Sequence, residues 1–314
     1  MVDTFRYVVV RVGSGLVTLL VVSVIIFMLM HSIPGGPFGN IQSGLSPVAK
    51  ANMMRIYGLN KPLVTQYVDY MKSFFTLQLG FAWQNPGIPM TILIAGAFQV
   101  SLSVASIGLV YGVVGGLALG ILSVMKLSTW GDQVITMVMT ALLTTPTFVI
   151  SIVLITVFAV WTRMFPAAGW GGWQYMVLPA IAYGINPLGT VARYTRNAMA
   201  DEIFKQHVQV AQAKGLSRTR AIIKHVLRNA AGPIITVIAP MLPGILTGSV
   251  FIESIFNVPG LGAYFVSAIE TRDYPLELTL ILFITVFTIL AYLVSDLLLV
   301  VFDPRVQLGK VLYD

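Results

Sequence analysis

The amino-acid sequence predicts an all-α integral membrane protein that crosses the bilayer six times. Of its 314 residues, 57% are hydrophobic and only 10% are charged, whereas soluble domains carry about 25% charged residues. The mean hydropathy is +0.86, and a water-soluble fold of this length could not bury so much apolar surface. Six apolar stretches are each long enough to cross the hydrocarbon core as a helix, which takes about 20 residues.

The predicted spans are distributed over the whole chain, which we expect to form one transmembrane domain, residues 1–314. They cover about residues 8–30, 91–125, 133–160, 175–194, 233–256 and 278–302. The first helix occupies residues 1–30, an external segment 31–90, and a core 91–314 with a charged loop at about 197–229. The first span exceeds the apolar core of a signal peptide and lacks a small-residue cleavage site, so we expect a retained anchor.

The second span is predicted to be a packing helix. It contains Gly108, Gly112, Gly115, Gly116 and Gly120. Small residues at such spacing let neighbouring helices approach closely.

The positive charges predict the orientation, because Lys and Arg in short loops favour the cytoplasmic side. The loop between spans four and five carries Arg193, Arg196, Lys205, Lys214, Arg218, Arg220, Lys224 and Arg228. Placing that loop in the cytoplasm puts Arg6, Arg11, Lys126, Arg305 and Lys310 there too. Both termini are then cytoplasmic. The same distribution accounts for the net charge of +7, and we expect no nucleic-acid partner.

The external segment is predicted to contain an amphipathic helix. Its apolar residues recur at helical spacing at Val64, Tyr67, Val68, Met71, Phe74 and Phe75. Two interpretations stay open: a surface for an external partner, or a helix that lies in the lipid headgroup layer.

The charged loop is predicted to contain a short helix that ends at Gly215. Glycine just past a helix end takes the left-handed conformation without steric cost. Ala211 and Ala213 leave a flat face that another protein could approach closely. The alternative interpretation is an ordinary basic loop that touches anionic membrane lipid.

Several motifs resemble the permease subunits of ABC importers, in the oligopeptide and dipeptide branch. The cytoplasmic motif is AQAKGLS at 211–217, then HVLRN at 225–229 and Pro233; further matches are RYTR at 193–196, ESIFNVPGLG at 253–262, RDYP at 272–275 and DPR at 303–305. The resemblance covers nearly the whole chain. PGGP at 34–37 and GWGGW at 169–173 are most similar to the first (B-type) permease subunit of oligopeptide systems.

The general importer motif is only partly present. It begins Glu-Ala-Ala, with a glycine four residues after the second alanine; here the corresponding residues are Gln209, Val210, Ala211 and Gly215. Only the second alanine and the glycine match. The peptide branch itself departs from the general pattern at the first two positions.

The resemblance implies a type I ABC importer permease fold and a role in peptide transport by alternating access in the cytoplasmic (inner) membrane. The implied partners are a second, homologous permease, two cytoplasmic ATPase subunits and an external binding protein that delivers peptide. ATP and Mg would be bound by the ATPases. The residues implied in ATPase coupling are Val210, Ala211, Ala213, Lys214, Gly215 and Leu216.

The chain itself is not expected to be an enzyme or to bind a cofactor. It has no Gly-x-x-x-x-Gly-Lys-Ser/Thr phosphate loop and no His, Cys and carboxylate set at metal-ligand spacing. His207 and His225 lie in the basic loop, where solvated or helix-capping roles are expected rather than metal binding.

Polar residues inside the spans are candidates for a peptide pathway. The main candidates are Ser103, Thr144, Asn186 and Ser249, with Ser106, Thr140, Thr145 and Thr247 beside them. The simpler interpretation of Ser and Thr is a hydrogen bond to the carbonyl one turn earlier, so Asn186 is the strongest candidate. Glu253 and Asp296 need a partner or a cavity inside a membrane; for Glu253 we favour a structural role.

Prolines and glycines in spans three to five are predicted to provide the gate. They are Pro146, Pro179, Gly184, Pro187, Gly189, Pro233, Pro240, Pro243, Gly244 and Gly248. Such residues allow a helix to bend inside a bundle. The alternative is that they shape static packing only.

Other classes of membrane protein fit the sequence less well. A self-sufficient secondary transporter or channel would show an internal repeat and polar groups at mid-membrane depth. An intramembrane enzyme would need paired catalytic residues at similar depth, and the spans contain no Ser-His, Asp-Asp or His-Glu-x-x-His arrangement. A permease of the same family for another small solute, such as a dipeptide or a metal chelate, stays open.

Overall fold

A computed structural model describes residues 2–33, 47–56, 58–83, 85–247 and 249–302. The described chain is mostly helical, in agreement with the predicted fold class. The first half contains α1 (Val2–Ser32), α2 (Pro47–Ile56), α3 (Leu63–Phe75), α4 (Met90–Met125), α5 (Trp130–Thr144) and α6 (Thr147–Leu154). The second half contains α7 (Gln174–Ile203), α8 (Gln206–Ala213), α9 (Arg218–Ala221), α10 (Leu227–Ile238), α11 (Leu242–Thr247), α12 (Val250–Ile255), α13 (Leu261–Thr271) and α14 (Tyr274–Phe302).

Short non-α elements lie between some of these helices. A two-stranded antiparallel hairpin pairs β1 (Phe81–Ala82) with β2 (Asn85–Pro89) just before α4. Ile155–Trp161 and Ile222–Val226 are π-helical, and Ala239–Met241 is a 3₁₀ turn. The predicted all-α fold does not include this hairpin.

Four helical stretches among the described residues are long and apolar enough to cross a membrane. They are Arg6–Ser32, Met90–Met125, Arg218–Gly244 and Tyr274–Val300. A fifth is obtained if the bent pair Trp130–Thr144 and Thr147–Trp161 is one span. The chain is therefore a multi-pass membrane protein. The count of six is not confirmed, because the fourth predicted span lies in α7, which is long but carries many polar residues.

The third predicted span is bent by 105° between α5 and α6. Thr145 is extended, with φ −80° and ψ 123°, and Pro146 occupies the N-cap position of α6. Proline has no N–H and disfavours helical geometry in the residue before it. In contrast, Pro179 and Pro187 lie inside α7 without ending it.

The boundaries predicted for the fifth span are wrong. The apolar helix begins at Arg218, well before Pro233, which lies inside α10. It does not continue to residue 256, because a separate short helix, α12, begins after Ser249. The Ser249 hydroxyl caps this helix by accepting a hydrogen bond from the Ile252 N–H at 3.3 Å.

The α4–α7 pair forms the most extensive helix contact among the described residues and confirms that the second span is a packing helix. Gly108, Gly112, Gly116 and Gly120 face α7 along one stripe of α4. A Cβ atom on Gly112 would lie 2.5 Å from the carbonyl oxygen of Gly184. Only residues without side chains permit this backbone-to-backbone approach.

The predicted amphipathic helix is confirmed as α3, and it packs against α1 and α14. Tyr67 hydrogen-bonds Ser23 of α1 at 2.7 Å, and Tyr70 hydrogen-bonds Thr279 of α14 at 2.8 Å. Met71 is buried between these helices.

Candidate functional site

The loop between α7 and α10 carries α8, and its end is built as the sequence predicts. Gly215 has φ +91°, the left-handed conformation that glycine adopts without strain. The Leu216 N–H donates to the Ala211 carbonyl at 3.2 Å, and the Gly215 N–H donates to the Gln212 carbonyl at 2.9 Å. These two bonds form a Schellman motif, which ends α8 at a defined residue. We call the end of the bundle that carries α8 the loop end.

One side of α8 is attached to the bundle by apolar contacts. Val208 is fully buried and Leu216 is partly buried in a cluster that includes Val124 of α4, Met199 of α7 and Val226. An eight-residue helix is not stable by itself in water. These contacts therefore hold α8 in place.

The other side of α8 is open. Of the predicted coupling residues, Val210, Ala213, Lys214 and Gly215 are exposed, while Ala211 and Leu216 are half-buried. Val210 is 52% exposed, and Phe204, just before α8, is 69% exposed. Exposed apolar and basic side chains therefore occur together at the loop end. No sequence motif indicates Phe204, whose exposure is a feature of the three-dimensional structure.

A polar cluster joins α8 to the helices on either side of it. Glu202 at the end of α7 pairs with Lys205, and its Oε1 lies 3.2 Å from His207 Nε2. The same His207 Nε2 lies 3.0 Å from Asn229 Nδ2 on α10. The Lys205 ammonium is the main cause that lowers the pKa of Glu202, with smaller contributions from Asn229 and His207 and against the effect of burial.

A second ion pair near the loop end links α5 and α7. Arg196 donates two hydrogen bonds to Asp132, from Nε at 2.8 Å and from Nη2 at 2.7 Å. Ser123 of α4 donates to the same carboxylate. Arg196 therefore joins three helices, a role that its position among the loop charges does not indicate.

Glu253 lies at the opposite end of the bundle and is completely enclosed. Its Oε1 accepts hydrogen bonds from Ser101 at 2.7 Å and from Tyr183 at 3.0 Å. Its Oε2 accepts from the N–H of Gly262 at 2.7 Å and of Ala263 at 3.3 Å. These two amides begin α13, so the carboxylate also interacts favourably with the helix dipole.

These contacts give Glu253 a structural role. Its exposed fraction is 0%, so the carboxylate is not open to a peptide in this conformation. A Cβ atom on Gly260 would lie 2.5 Å from the Glu253 carboxylate, which explains the glycine in the VPGLG segment.

Asp296 is paired within the chain. Its Oδ2 accepts a hydrogen bond from Tyr7 at 2.6 Å and lies 3.1 Å from Arg11 Nη2. Both partners are on α1. This carboxylate therefore ties the last helix to the first.

Most of the hydroxyl groups proposed for a peptide pathway bond to their own helices. Ser103, Thr140, Thr144 and Thr145 donate to carbonyls three or four residues earlier. The simpler interpretation of these residues is therefore supported.

Asn186 is placed differently from the hydroxyl residues. It is half-buried on α7, next to Pro187. Pro187, Tyr183, Ala105, Leu109, Met241 and Gly244 line a cleft of about 170 Å³ between α4, α7 and the α10–α11 segment. Predictions on the Thr247 side chain, Gly248, PGGP at 34–37 and DPR at 303–305 lie outside the described residues.

Solved structures share this fold. A chain of the methionine ABC transporter MetNI in an inward-facing conformation aligns with a TM-score of 0.58 at 15% identity, covering 68% of this chain and 98% of that chain. A chain of an amino acid ABC transporter with histidines aligns with a TM-score of 0.52 at 16% identity, covering 69% and 95%. The fold is that of the type I ABC importer permeases.

Sequence comparison then identifies the family. Residues 112–308 match the binding-protein-dependent transport system inner membrane component, and residues 4–89 match the N-terminal model of such membrane components. The dipeptide transport system permease protein DppB of Bacillus subtilis is 36% identical over 97% of this chain and 99% of its own length. The oligopeptide transport system permease protein OppB of Haemophilus influenzae is 34% identical over 95% and 97%. The chain belongs to the family of binding-protein-dependent transport system inner membrane components.

Proposed function

We propose that this chain is a permease subunit that moves peptides, of dipeptide to oligopeptide length, across the cytoplasmic membrane by alternating access. The observation that carries the proposal is α8: a short helix fixed to the bundle on one side and open on the other. The names of the relatives, DppB and OppB, supply the substrate class.

The loop end is then cytoplasmic, together with both termini. The lysines and arginines around α8 support this orientation, because such charges are retained on the cytoplasmic side. The Glu253 end then faces outward, toward a binding protein that delivers peptide.

The proposed assembly has a second homologous permease beside this chain and two ATPase subunits below it. ATP and Mg are bound and ATP is hydrolysed on the ATPases, so this chain contributes no catalytic group. The exposed side of α8, with Val210 and Lys214, meets one ATPase. Movement of that ATPase displaces α8, and the apolar contacts of Val208 and Leu216 carry the displacement into the bundle.

The proposed peptide path lies beside α7, where Asn186 and the cleft residues Tyr183 and Met241 are found. The α4–α7 contact is too close to open, so we assign the gating movement to the α5–α6 bend and to the α10–α12 segment. Pro146 and Pro243 belong to those regions.

Copurification and reconstitution test this proposal. The tagged chain is expected to bring down a second permease and ATP-binding subunits. Vesicles containing the complex should take up peptide only with ATP and the binding protein. Peptide uptake by this chain alone, without ATP, would contradict the proposal and favour a self-sufficient transporter.

Gly215→Val tests the role of α8 within that complex. A β-branched residue in the left-handed conformation costs about 1–2 kcal/mol, so the Schellman motif should open and uptake should fall. Gly13→Val is the matched control, because a Cβ atom on Gly13 would have no neighbour within 4 Å. Normal ATP-driven uptake by Gly215→Val would count against a mechanical role for α8.

A further inference from the structure

The polar cluster at the root of α8 has a geometry that packing alone does not require. Two residues from the flanking helices, Glu202 on α7 and Asn229 on α10, converge on the Nε2 atom of His207 on α8. Apolar contacts such as those of Val208 are non-directional, so they resist separation of α8 from the bundle more than its rotation. Hydrogen bonds are directional, so they also resist rotation of α8.

The two neighbours of His207 Nε2 have opposite hydrogen-bonding character. The Glu202 carboxylate accepts, and the Asn229 amide nitrogen donates. When Nε2 carries a proton it therefore faces the accepting Glu202 carboxylate at 3.2 Å, and when it does not it accepts from Asn229 at 3.0 Å. A neutral imidazole changes between these states by a shift of tautomer, so α8 can be linked to α7 or to α10.

We propose that Glu202, His207 and Asn229 are positioning residues for energy coupling, which transmit a rotation of α8 to the two helices that flank it. This inference rests on the proposed function, since it assigns the residues that connect the ATPase contact to the bundle. The cluster lies where α8 meets α7 and α10, and the Glu202 side chain is buried.

The surrounding contacts favour a transmitting role over simple capping. The N-cap residue Lys205 makes no side-chain hydrogen bond to the first turn of α8. Gln209 instead donates to the Phe204 carbonyl at 3.1 Å, which steadies the turn between α7 and α8. The turn is thus held locally, whereas the bond between His207 and Asn229 joins α8 to α10.

The test measures peptide uptake and ATP hydrolysis in the same reconstituted vesicles, using the full complex with its binding protein. For His207→Phe and Asn229→Leu, peptide taken up per ATP hydrolysed is expected to fall about 5-fold or more, the lower range of allosteric coupling. ATP hydrolysis itself and copurification of the ATPases are expected to be retained. His225→Phe is the control, because it changes the other histidine of the loop and leaves the cluster intact.

His207→Gln provides a rescue, since its amide nitrogen can still donate to Glu202 and its oxygen can accept from Asn229. Partial recovery of uptake per ATP is expected. An unchanged ratio in His207→Phe, in a complex whose wild type is coupled, would overturn this inference alone. Parallel loss of hydrolysis and of ATPase binding would also overturn it, by showing a role in folding only. A wild type without ATP-dependent uptake would overturn the proposed function itself.

Discussion

Two buried glutamates at opposite ends of the bundle are held in different ways. Glu253 is enclosed by hydroxyl and backbone donors from α4, α7 and α13. Glu202 is held by Lys205 and His207, whose side chains are largely at the surface. The first arrangement fixes three segments in one geometry. The second allows partners to exchange with water, which suits a junction that moves.

The energetic difference follows from desolvation. Leaving a buried donor without a partner costs about 1–3 kcal/mol for each group, and Glu253 satisfies several donors at once. Exposed ion pairs contribute only about 0–1 kcal/mol. We therefore expect changes at Glu253 to affect stability, and changes in the cluster of Glu202, His207 and Asn229 to affect coupling.

The largest effect is expected for Glu253→Ala. It would leave the Ser101 and Tyr183 hydroxyls and the Gly262 amide without their acceptor, so the stability of the complex should fall by about 3 kcal/mol or more. Thermal unfolding of the detergent-purified complex measures this. Asp201→Asn, an exposed acidic residue near the loop end, is the control. Equal stability of Glu253→Ala and Asp201→Asn would show that the Glu253 end is not more important for stability than the loop end.

Gly112→Val should have the next largest effect, because it tests whether α4 and α7 form one unit. The added side chain would collide with the Gly184 carbonyl and with Pro187, and overpacking of this kind costs about 1–3 kcal/mol. Gly96→Val on the same helix is the control, since a Cβ atom there would have no neighbour within 4 Å. Thermal unfolding distinguishes the two. If Gly112→Val is as stable as Gly96→Val, the contact between α4 and α7 is not rigid.

Arg196→Lys is expected to have a smaller effect. Lysine keeps the charge but cannot make the two-pronged contact with Asp132, so about 1 kcal/mol of stability should be lost. The equivalent change Arg193→Lys in the preceding turn is the control. If the ion pair only stabilises the loop end and takes no part in energy coupling, peptide uptake per ATP hydrolysed should stay unchanged in both variants. A fall in that ratio for Arg196→Lys would instead extend the coupling region to α5.

The smallest effect is a dependence of stability on pH at the loop end. Because the folded-state pKa of Glu202 is lowered, its contribution is present above the unfolded pKa and is lost as the pH falls through the folded value. The contribution should be below about 1 kcal/mol, because Lys205 is exposed. Lys205→Met should reduce the loss of unfolding temperature between pH 7 and pH 4. An identical pH profile for wild type and variant would mean that the pair contributes nothing.

The local features of the site could be predicted from the sequence. Helical spacing of apolar residues predicts α3, and Gly215 predicts the end of α8, because both depend on residues close in the chain. The glycines of α4 predict a close helix contact, although not that the partner is α7. The hydrogen bonds of Thr144 and Thr145 follow from the ordinary behaviour of hydroxyl residues in helices.

Features that depend on distant residues could not be predicted. Asp132 and Arg196 are 64 positions apart, and nothing in either local sequence specifies the partner. Pro146 and Pro187 are both prolines, yet the chain bends at Pro146 and the helix continues through Pro187. The packing around each proline decides between these two outcomes. Likewise, the exposure of Phe204 appears only when α7 and α8 are placed.

The glycine stripe of α4 also limits where anything can cross the membrane. Because its backbone touches that of α7, neither a file of water molecules nor an acyl chain fits between these two helices. In the proposed assembly, the peptide path therefore lies on the side of α7 that faces away from α4, where the second permease would supply the facing wall. On this view the conduit is a property of the pair of permeases, and a single copy encloses only half of it.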